Sequence, residues 1–343
     1  MSRWVVVLAG GVGSRFWPLS TPERPKQLLP LITGTPLLAE TLLRLQPLAD
    51  AEHTLILTNA SLVDAIRELL PSVPAANVIA EPRPAGTAAA LAWAAHVIAA
   101  RDPDGVMLSV HADWAIGDAD GFRRALVAAA EAAEQHHALV TVGVLPVRPD
   151  PGFGYIQPGE VVAGALRRVR RFAEKPNRER AAEMIRDGYL WNSGIFVWRA
   201  KDFLAEVEAL TPEVAPALAA HGDDIAAFFG AVTSIAVDVG VLERSQRVMV
   251  LPGDFGWDDI GTWEALARVR QLDHQGNAAQ GSVFPVESAR NVVHAEEGDV
   301  VLYGVSDLVV VTCRGMTLVT TTARAAELKL LIDQLPATVR TRA

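Results

Sequence analysis

The segment LAGGVGSRFWPLSTPERPKQLLPL directly follows the apolar run WVVV and concentrates glycine and positive charge. Its glycines allow a ligand to approach the backbone closely, and consecutive N–H groups of such a loop can bind an anion; they are Gly10, Gly11 and Gly13. The guanidinium of Arg15 can bind a phosphate through two hydrogen bonds, whereas the ammonium of Lys26 acts as a point charge. The segment therefore predicts a loop that holds a phosphate-bearing ligand.

Other loop types agree less well with these residues. A dinucleotide-binding loop has the pattern G-x-G-x-x-G at the start of a helix, but Phe16 stands at the third glycine position. Pro18, Pro22 and Pro25 then prevent a regular helix from starting. The G-K-[ST] end of a Walker loop is absent. A plain surface loop remains an alternative, which the two cations among glycines and prolines disfavour.

The elements around this loop predict an α/β fold. Short runs that are rich in β-branched residues indicate strands buried on both faces, namely RWVVVLA (3–9), HTLILTN (53–59), NVIAEP (77–82), GVMLSV (105–110) and ALVTVGV (138–144). Helical patterns lie between them, at 36–45, 60–70, 87–100 and 120–135. We expect Thr87 to cap the third helix. Such alternation predicts a doubly wound parallel sheet with its ligands beyond the carboxyl ends of the strands.

The pattern changes in the later parts of the chain. Residues 150–200 read as strands and turns around one helix, which suits a substrate-binding insertion on the same sheet. Within them, the run RRVRR (167–171) predicts an exposed strand face rather than a ligand site. After 273–281 short strands alternate with turns, and a last helix covers 323–335. We therefore predict a catalytic domain at 1–272 and a C-terminal β domain at 273–343.

Bulk properties narrow the class of protein. The chain has 343 residues and a formal net charge of −9, which argues against a nucleic-acid partner. Its single cysteine, Cys313, lies in an apolar run and is expected to be a buried thiol. The histidines form no pair or cluster that is typical of zinc sites. No segment has the length of a membrane span or the pattern of a targeting signal, so we expect a cytoplasmic protein without a membrane partner.

The opening segment resembles the signature of the sugar-1-phosphate nucleotidyltransferases, G-G-x-G-[ST]-R followed by a proline and a lysine. Its WPLS and PKQ elements are similar to those of family members that use GTP and mannose 1-phosphate. Further segments resemble family motifs over nearly the whole chain: EPRPAGTAAAL (81–91), HADWAI (111–116), GFGYIQPG (152–159), FAEKP (172–176), LWNSGIFVW (190–198), SIAVDVGVLERSQRV (234–248) and GWDDIGTW (256–263).

The resemblance implies a fold and a reaction. The fold is a Rossmann-like, doubly wound mixed sheet of the GT-A-like kind, with a small C-terminal β domain resembling a left-handed β-helix. The reaction joins GTP and mannose 1-phosphate into GDP-mannose and pyrophosphate by in-line attack on the α-phosphate. Mg²⁺ or another divalent cation is the implied cofactor, and a homodimer is the implied assembly.

The resemblance also assigns roles residue by residue. Arg15 and Lys26 are the implied catalytic residues, and Asp113 and Asp259 the implied metal ligands, with the neighbouring Asp258 left as a turn residue. The implied nucleotide-binding residues are Leu8, Ala9, Gly10, Gly11, Gly13, Ser14, Glu81, Gly86, Thr87 and Ala88. The implied sugar-phosphate-binding residues are Gly154, Tyr155, Glu174, Lys175, Asn192 and Asp238.

Several positions depart from the family pattern, among them Ala89 and His111 at usual prolines, and some alternatives stay open. Gly86 stands at a usual Asn, Trp114 at a usual His and Arg244 at a usual Lys. Glu174 and Lys175 could instead form only a local ion pair. The alternatives for the whole chain are the same chemistry with another nucleotide or another hexose 1-phosphate, and a non-catalytic subunit that senses a nucleotide sugar.

Overall fold

The computed structural model describes residues 1–11 and 14–340, and for Ser14 and Lys329 it describes the backbone alone. The chain forms two compact units. We call them the sheet unit, made of Met1–Gly10, Leu42–His111 and Asp118–Phe255, and the loop unit, made of Gly11–Thr41, Ala112–Gly117 and Gly256–Ala343. These units are grouped by contacts in space, whereas the predicted domains 1–272 and 273–343 are continuous in sequence. The predicted boundary stays a prediction.

The strands follow the predicted runs closely at the start of the chain. Their bounds are β1 (Arg3–Leu8), β2 (Thr54–Asn59), β3 (Val78–Glu81), β4 (Val106–His111), β5 (Ala115–Ile116), β6 (Leu139–Val144), β7 (Tyr155–Ala163), β8 (Leu166–Ala173), β9 (Leu190–Arg199), β10 (Val248–Gly253), β11 (Trp257–Asp258), β12 (Ala278–Val286), β13 (Val292–Tyr303), β14 (Leu308–Cys313) and β15 (Met316–Thr321).

The helices of the described residues are α1 (Leu37–Leu45), α2 (Val63–Leu69), α3 (Gly86–Arg101), α4 (Ala119–His136), α5 (Arg178–Arg186), α6 (Ala200–Leu210), α7 (Ala215–His221), α8 (Ile225–Ala231), α9 (Leu266–Val269), α10 (Leu328–Gln334) and α11 (Ala337–Arg340). Side chains cap some of them: Asp118 accepts a hydrogen bond from the Gly121 amide at the start of α4, at 2.8 Å. None of the described helices is both long and apolar enough to cross a membrane.

The sheet unit is built on one mixed sheet with the strand order β3-β2-β1-β4-β9-β6-β10-β8-β7. The first four of these strands are parallel, as the alternation of strands and helices predicts. The mixed sheet that the family resemblance implies is confirmed, because β9 enters antiparallel between β4 and β6. The apolar strands and the alanine-rich α3 form one continuous buried core.

The loop unit contains two smaller sheets. β5 pairs antiparallel with β11, and a C-terminal sheet has the order β12-β13-β14-β15. In that sheet β13 lies parallel to both β12 and β14, whereas β15 is antiparallel. Its core joins aromatic residues of the signature segment to the sheet, because Phe16, Trp17 and Trp263 are buried in one cluster with Val309 and Cys313. The predicted C-terminal β region and buried thiol are therefore confirmed.

Candidate active site

The centre of the predicted chemistry in the loop unit is Lys26. Its ammonium lies 3.0 Å from a carboxylate oxygen of Asp113, and it also donates to the main-chain oxygen of Asp259. Lys26 is only 6% exposed, and a lysine is rarely buried unless its charge is paired. The motif lysine is therefore not a solvated surface charge, and the structure brings it together with both predicted metal carboxylate residues.

The turn that carries Asp259 is shaped by its neighbours. Asp258 is buried and receives two hydrogen bonds from Arg268, at 2.7 and 3.0 Å. It also accepts from the Ile260 amide at 2.9 Å. Ile260 has a φ of 47°, which is an unfavourable backbone conformation for a β-branched residue. Asp258 thus has a structural role in the turn, and the assignment of Asp259 as a metal ligand stays a prediction.

Arg15 lies beside the same turn. Its guanidinium is 3.4 Å from the main-chain oxygen of Gly261. A Cβ on Gly261 would lie 2.9 Å from the Asp259 carboxylate and 3.3 Å from Arg15, so glycine leaves room for both side chains. Arg15 is otherwise exposed, so its guanidinium is accessible to a ligand.

The start of the predicted phosphate loop is held through its carbonyl groups. In the sheet unit, Thr58 donates to the Ala9 oxygen at 3.1 Å and Asn59 donates to the Gly10 oxygen at 2.9 Å. Both donors end β2, the strand beside β1, and neither was predicted from the sequence. Their position at a strand end, next to the signature, is the signal that was available.

The rest of that loop belongs to the loop unit. Gln27, from the PKQ element, donates to the Gly11 oxygen at 2.9 Å. Gly13 lies outside the described residues, and of Ser14 only the backbone is described, in a short 3₁₀ turn with Arg15. Leu8 ends β1 and supplies backbone to the start of the loop.

Residues of the C-terminal sheet and its turns form several hydrogen bonds with the signature segment. Glu296 of β13 receives two hydrogen bonds from Arg24, at 3.1 and 2.7 Å. Arg314, just after β14, donates to the main-chain oxygens of Pro18 and Leu19, at 3.1 and 3.0 Å. The stretch that leads to Lys26 is therefore held at Pro18, Leu19 and Arg24 by residues that lie 272 to 296 positions later in the chain.

Arg270 adds a buried support for the end of the same segment. Its guanidinium donates to the Leu31 oxygen at 2.7 Å, to Gln280 at 2.8 Å and to His294 at 2.9 Å. Burial lowers the pKa of Arg270 to about 10, and burial together with this cation lowers the pKa of His294 to about 4. His294 is therefore neutral at pH 7 and can accept the hydrogen bond.

Glu81 is the titratable group at the predicted base-binding segment. It ends β3, and a Cβ on Gly10 would lie 3.4 Å from its carboxylate. Burial raises the pKa of Glu81 to about 7, because the charged form is poorly solvated there. A carboxylate in such a place gains most from a ligand that donates hydrogen bonds to it.

Gly86 shows why this chain departs from the family's asparagine. Its φ is 80°, and a Cβ would lie 2.3 Å from the main-chain oxygen of Ile235, so only glycine fits. The Ala88 amide donates to that same oxygen at 3.2 Å. The prediction that Thr87 caps α3 was wrong: the helix begins at Gly86, and the Thr87 hydroxyl accepts instead from the Val237 amide at 2.9 Å.

The predicted sugar-phosphate residues of the sheet unit also come together. The Asn192 amide nitrogen of the backbone donates to the Gly154 oxygen at 2.8 Å, and its side chain donates to Asp238 at 2.6 Å. A Cβ on Gly154 would lie 3.1 Å from the Glu174 carboxylate. Burial, and the nearby Glu174 charge, raise the pKa of Asp238, whereas the Asn192 hydrogen bond opposes that rise.

Two members of this group differ in the exposure of their side chains, Lys175 being exposed and Tyr155 buried. Lys175 pairs with Glu174 at 3.0 Å, and both side chains are exposed, at 65% and 62%. An exposed pair of this kind adds little stability, so either partner can turn to a ligand at low cost. The Tyr155 ring is buried, and its hydroxyl donates to the main-chain oxygen of Asp150 at 3.1 Å. Only the backbone of Tyr155 is therefore available for contact with a sugar.

Two of the other departures have structural explanations. Trp114 is buried and packs edge-on against Trp257, with ring centres 5.9 Å apart, so an apolar ring suits the place of the usual histidine. Arg244 donates two hydrogen bonds to Glu213, at 2.9 and 2.8 Å, and a third to the Leu210 oxygen at 2.8 Å. That geometry needs the arginine fork and cannot be met by lysine.

The donors around Lys26 fit a hard divalent cation. Lys26 contacts the carboxylate of Asp113 but only the main-chain oxygen of Asp259, and Mg²⁺ is commonly held by one or two carboxylates plus substrate phosphates and water. Across the part of the chain that the structure describes, no three His, Cys, Asp or Glu side chains form a complete metal cluster.

Comparison with known proteins identifies the class. The family model for nucleotidyl transferases matches residues 4–276, which include all the predicted site residues. The chain belongs to this family.

Relatives that match nearly the whole of this chain narrow the family to one group of enzymes. A mannose-1-phosphate guanylyltransferase of Escherichia coli is 34% identical over 98% of this chain and 74% of its own length. The xanthan biosynthesis protein XanB of Xanthomonas campestris is 33% identical, with 98% and 74% covered. The crystal structure of a Thermus thermophilus protein described as mannose-1-phosphate geranyltransferase superposes with a TM-score of 0.89, at 34% identity over 97% of this chain and 99% of that one. Within the nucleotidyl transferases, the chain is a member of the mannose-1-phosphate guanylyltransferases.

Proposed function

We propose that this chain transfers GMP from GTP to mannose 1-phosphate. A phosphate oxygen of mannose 1-phosphate attacks the α-phosphorus of GTP in line with the bond to the bridging oxygen. That bond breaks, pyrophosphate leaves with the electron pair, and GDP-mannose is formed. The observation that carries the proposal is the buried Lys26 with its two aspartates, in a chain whose full-length relatives are mannose-1-phosphate guanylyltransferases.

Lys26 and Arg15 supply the positive charge that this reaction needs. Both reactants are anions, and negative charge builds on the leaving pyrophosphate, so fixed cations accelerate the reaction most where that charge develops. Lys26 is already oriented by Asp113 and stabilises the α-phosphate. Arg15 binds the outer phosphates. The backbone N–H groups of Gly10, Gly11 and Gly13 hold the triphosphate.

Asp113 and Asp259 would hold the divalent cation, for which Mg²⁺ is our proposal. Bound there, the cation would screen the two anionic substrates from one another. Asp258 is unsuited to this role because Arg268 already occupies both of its oxygens.

Glu81 supplies a reason for guanine. An ionised carboxylate can accept hydrogen bonds from N1–H and from the exocyclic amino group of guanine, a pair of donors that adenine, thymine and uracil lack. Gly86, Thr87 and Ala88 line the same base-binding segment through their backbone. Lys175 neutralises the phosphate of mannose 1-phosphate, and Glu174, Asn192 and Asp238 bind the sugar hydroxyls, with the backbone of Gly154 and Tyr155 beside them.

We also propose that residues 273–343 form a C-terminal domain of the left-handed β-helix kind. The parallel pairing of β12, β13 and β14, in which Ala278 faces Val292 and Val292 faces Val309, supports stacked coils. At the turn, the Asn291 side chain donates to Asn277 one coil earlier at 2.9 Å.

A homodimer of cytoplasmic location is the proposed assembly. Phe284 faces Val301 and Val286 faces Tyr303 across β12 and β13, and all four side chains are exposed, which makes an apolar patch suited to a second copy. Light scattering during gel filtration should give a dimer for the protein and for Val161→Glu, an exposed control, but a monomer for the double variant V301E/Y303E. A monomeric parent chain would contradict the proposal. The cytoplasm is proposed because GTP and sugar phosphates are supplied there.

The reaction is tested by a substrate matrix. Purified protein and Mg²⁺ are combined with each of five nucleoside triphosphates and with mannose, glucose, fucose or N-acetylglucosamine 1-phosphate, and pyrophosphate release is measured. GTP with mannose 1-phosphate should dominate. Asp259→Asn should abolish that signal, and Asp299→Asn, in the exposed pair with Ser282, should keep it. Dominance of another pair would overturn the substrates, and folded protein without any release would favour a nucleotide-sugar sensor.

A further inference from the structure

The outer strands of the sheet unit border a second cavity. Its volume is about 580 Å³, and β8 supplies one wall with Arg168, Arg170 and Arg171. The lining also includes Glu243 and the neutral polar side chains of Ser245 and Gln246. Among the described residues that line it there is none of those assigned to nucleotide, sugar phosphate or metal.

The three arginines differ from their neighbours in being unpaired. All three side chains are exposed, and within residues 1–11 and 14–340 their guanidinium groups have neither a hydrogen bond nor an ion pair. By contrast Arg247, beside Gln246 in the chain, donates to Glu206 at 3.3 Å. The sequence RRVRR predicted an exposed strand face, which is confirmed, but that face also forms the wall of a cavity.

The charge of the cavity is the reverse of the charge of the chain. Three arginines and one glutamate give its wall a net charge of +2, whereas the whole chain carries −9. Cations gathered in a concave site raise the local concentration of anions. Guanidinium groups bind phosphate oxygens in pairs, and neutral hydroxyl and amide groups suit sugar hydroxyls or a base.

We propose that this cavity is a second ligand site, which binds an organic phosphate of nucleotide size. Its volume falls within the range of about 300–1,000 Å³ that is usual for small-molecule sites, and exceeds what an inorganic phosphate fills. The three guanidinium groups need not break an existing ion pair when such a ligand binds. Glu243 faces the sugar part of the ligand, where a carboxylate can accept from hydroxyl groups.

Calorimetric titration with GMP, GDP-mannose and inorganic pyrophosphate tests the proposal. The variants are R168Q/R170Q and, as a control with the same loss of charge, R178Q/R186Q on the exposed face of α5. For GMP we expect two sites per chain in the parent and control, and one in R168Q/R170Q. The charge-conserving variant R168K/R170K should keep the second site with weaker affinity, because lysine lacks the fork.

The outcomes separate this proposal from the proposed function. The expected count of two GMP sites rests on that function, because one of them is the active site; loss of one site in R168Q/R170Q relative to the parent supports the cavity even if the parent has only that one. An equal number of GMP sites in the parent and in R168Q/R170Q, or equal weakening in R178Q/R186Q, would overturn the second site. Binding of pyrophosphate there without GMP would overturn the nucleotide size. Unfolding temperatures of all variants should match, since the substituted side chains are exposed.

Discussion

Two motif lysines make the most instructive comparison in the molecule. Lys26 in the loop unit and Lys175 in the sheet unit each lie 3.0 Å from a carboxylate, but their side chains are 7% and 65% exposed. A buried, paired cation is fixed before the substrate arrives, so it can stabilise charge that develops during the reaction. An exposed cation has to be ordered by its ligand, so it contributes mainly to binding. The same residue type is therefore expected to serve the chemical step at one place and affinity at the other.

The largest effect is expected for Lys26→Ala. Loss of the pre-oriented cation should lower kcat by about 10²–10³-fold, the usual result of removing one fixed donor to developing charge. Steady-state rates of pyrophosphate release measure it. Lys201→Ala removes an exposed lysine that is paired with Asp104 at 2.6 Å, and it should leave kcat unchanged. Equal losses in both variants would mean that Lys26 has no special role.

Lys175→Ala should act on binding. Removing one charged hydrogen-bond partner of the substrate phosphate costs about 1.5–3 kcal/mol, or roughly 10-fold to 150-fold in KM for mannose 1-phosphate. The kcat at saturation should change little. Lys175→Arg keeps the charge and should recover most of the affinity. A fall in kcat at an unchanged KM would contradict the assignment.

The pH dependence of GTP binding tests Glu81. Its pKa of about 7 means that the carboxylate becomes protonated, and loses acceptor capacity for guanine, as the pH falls below 7. Affinity for GTP should be constant above about pH 8 and fall about tenfold per pH unit well below 7. Glu81→Gln should bind GTP more weakly with a flat profile. A parent profile that is flat from pH 5 to 8 would exclude Glu81 from base binding.

The smallest effect on kcat is expected for Glu296→Gln, which weakens a contact between the C-terminal sheet and the segment that carries Lys26. Glu296→Gln weakens the half-exposed pair with Arg24, and it should lower kcat by about fivefold or less, the equivalent of the ~1 kcal/mol of such a pair. Asp307→Asn breaks the comparable pair with Arg290, which lies within the C-terminal sheet and away from the signature segment. That control should leave kcat unaltered. Equal effects would show that the sheet contributes general stability alone.

The local sequence pattern was sufficient to predict those features that depend on residues close together in the chain. The first four strands and the prediction of a phosphate-binding loop follow from residue type at short spacing. The choice of Asp259 over Asp258 rests on the family resemblance, and the structure adds that both Asp258 oxygens accept hydrogen bonds from Arg268. The assigned binding roles themselves stay predictions.

Contacts between distant residues could not be predicted. The space beside Gly86 is filled by the Ile235 carbonyl, and this contact, rather than helix propensity, determines the residue there and diverts Thr87 from capping. The antiparallel entry of β9 depends on a crossover that no strand pattern encodes. The hold of Arg314 on the signature segment joins residues far apart in the chain, so no spacing rule could reveal it.

The most direct test of the difference between the two lysines is a single-turnover measurement at saturating mannose 1-phosphate. Rapid quench of Lys26→Ala and Lys175→Ala, with enzyme in excess over labelled GTP, gives the rate of the chemical step in each. We expect Lys175→Ala to reach nearly the parent rate once mannose 1-phosphate saturates, and Lys26→Ala to stay slow at every concentration. Recovery of Lys26→Ala at saturation, or a slow step in Lys175→Ala that no concentration restores, would contradict the account.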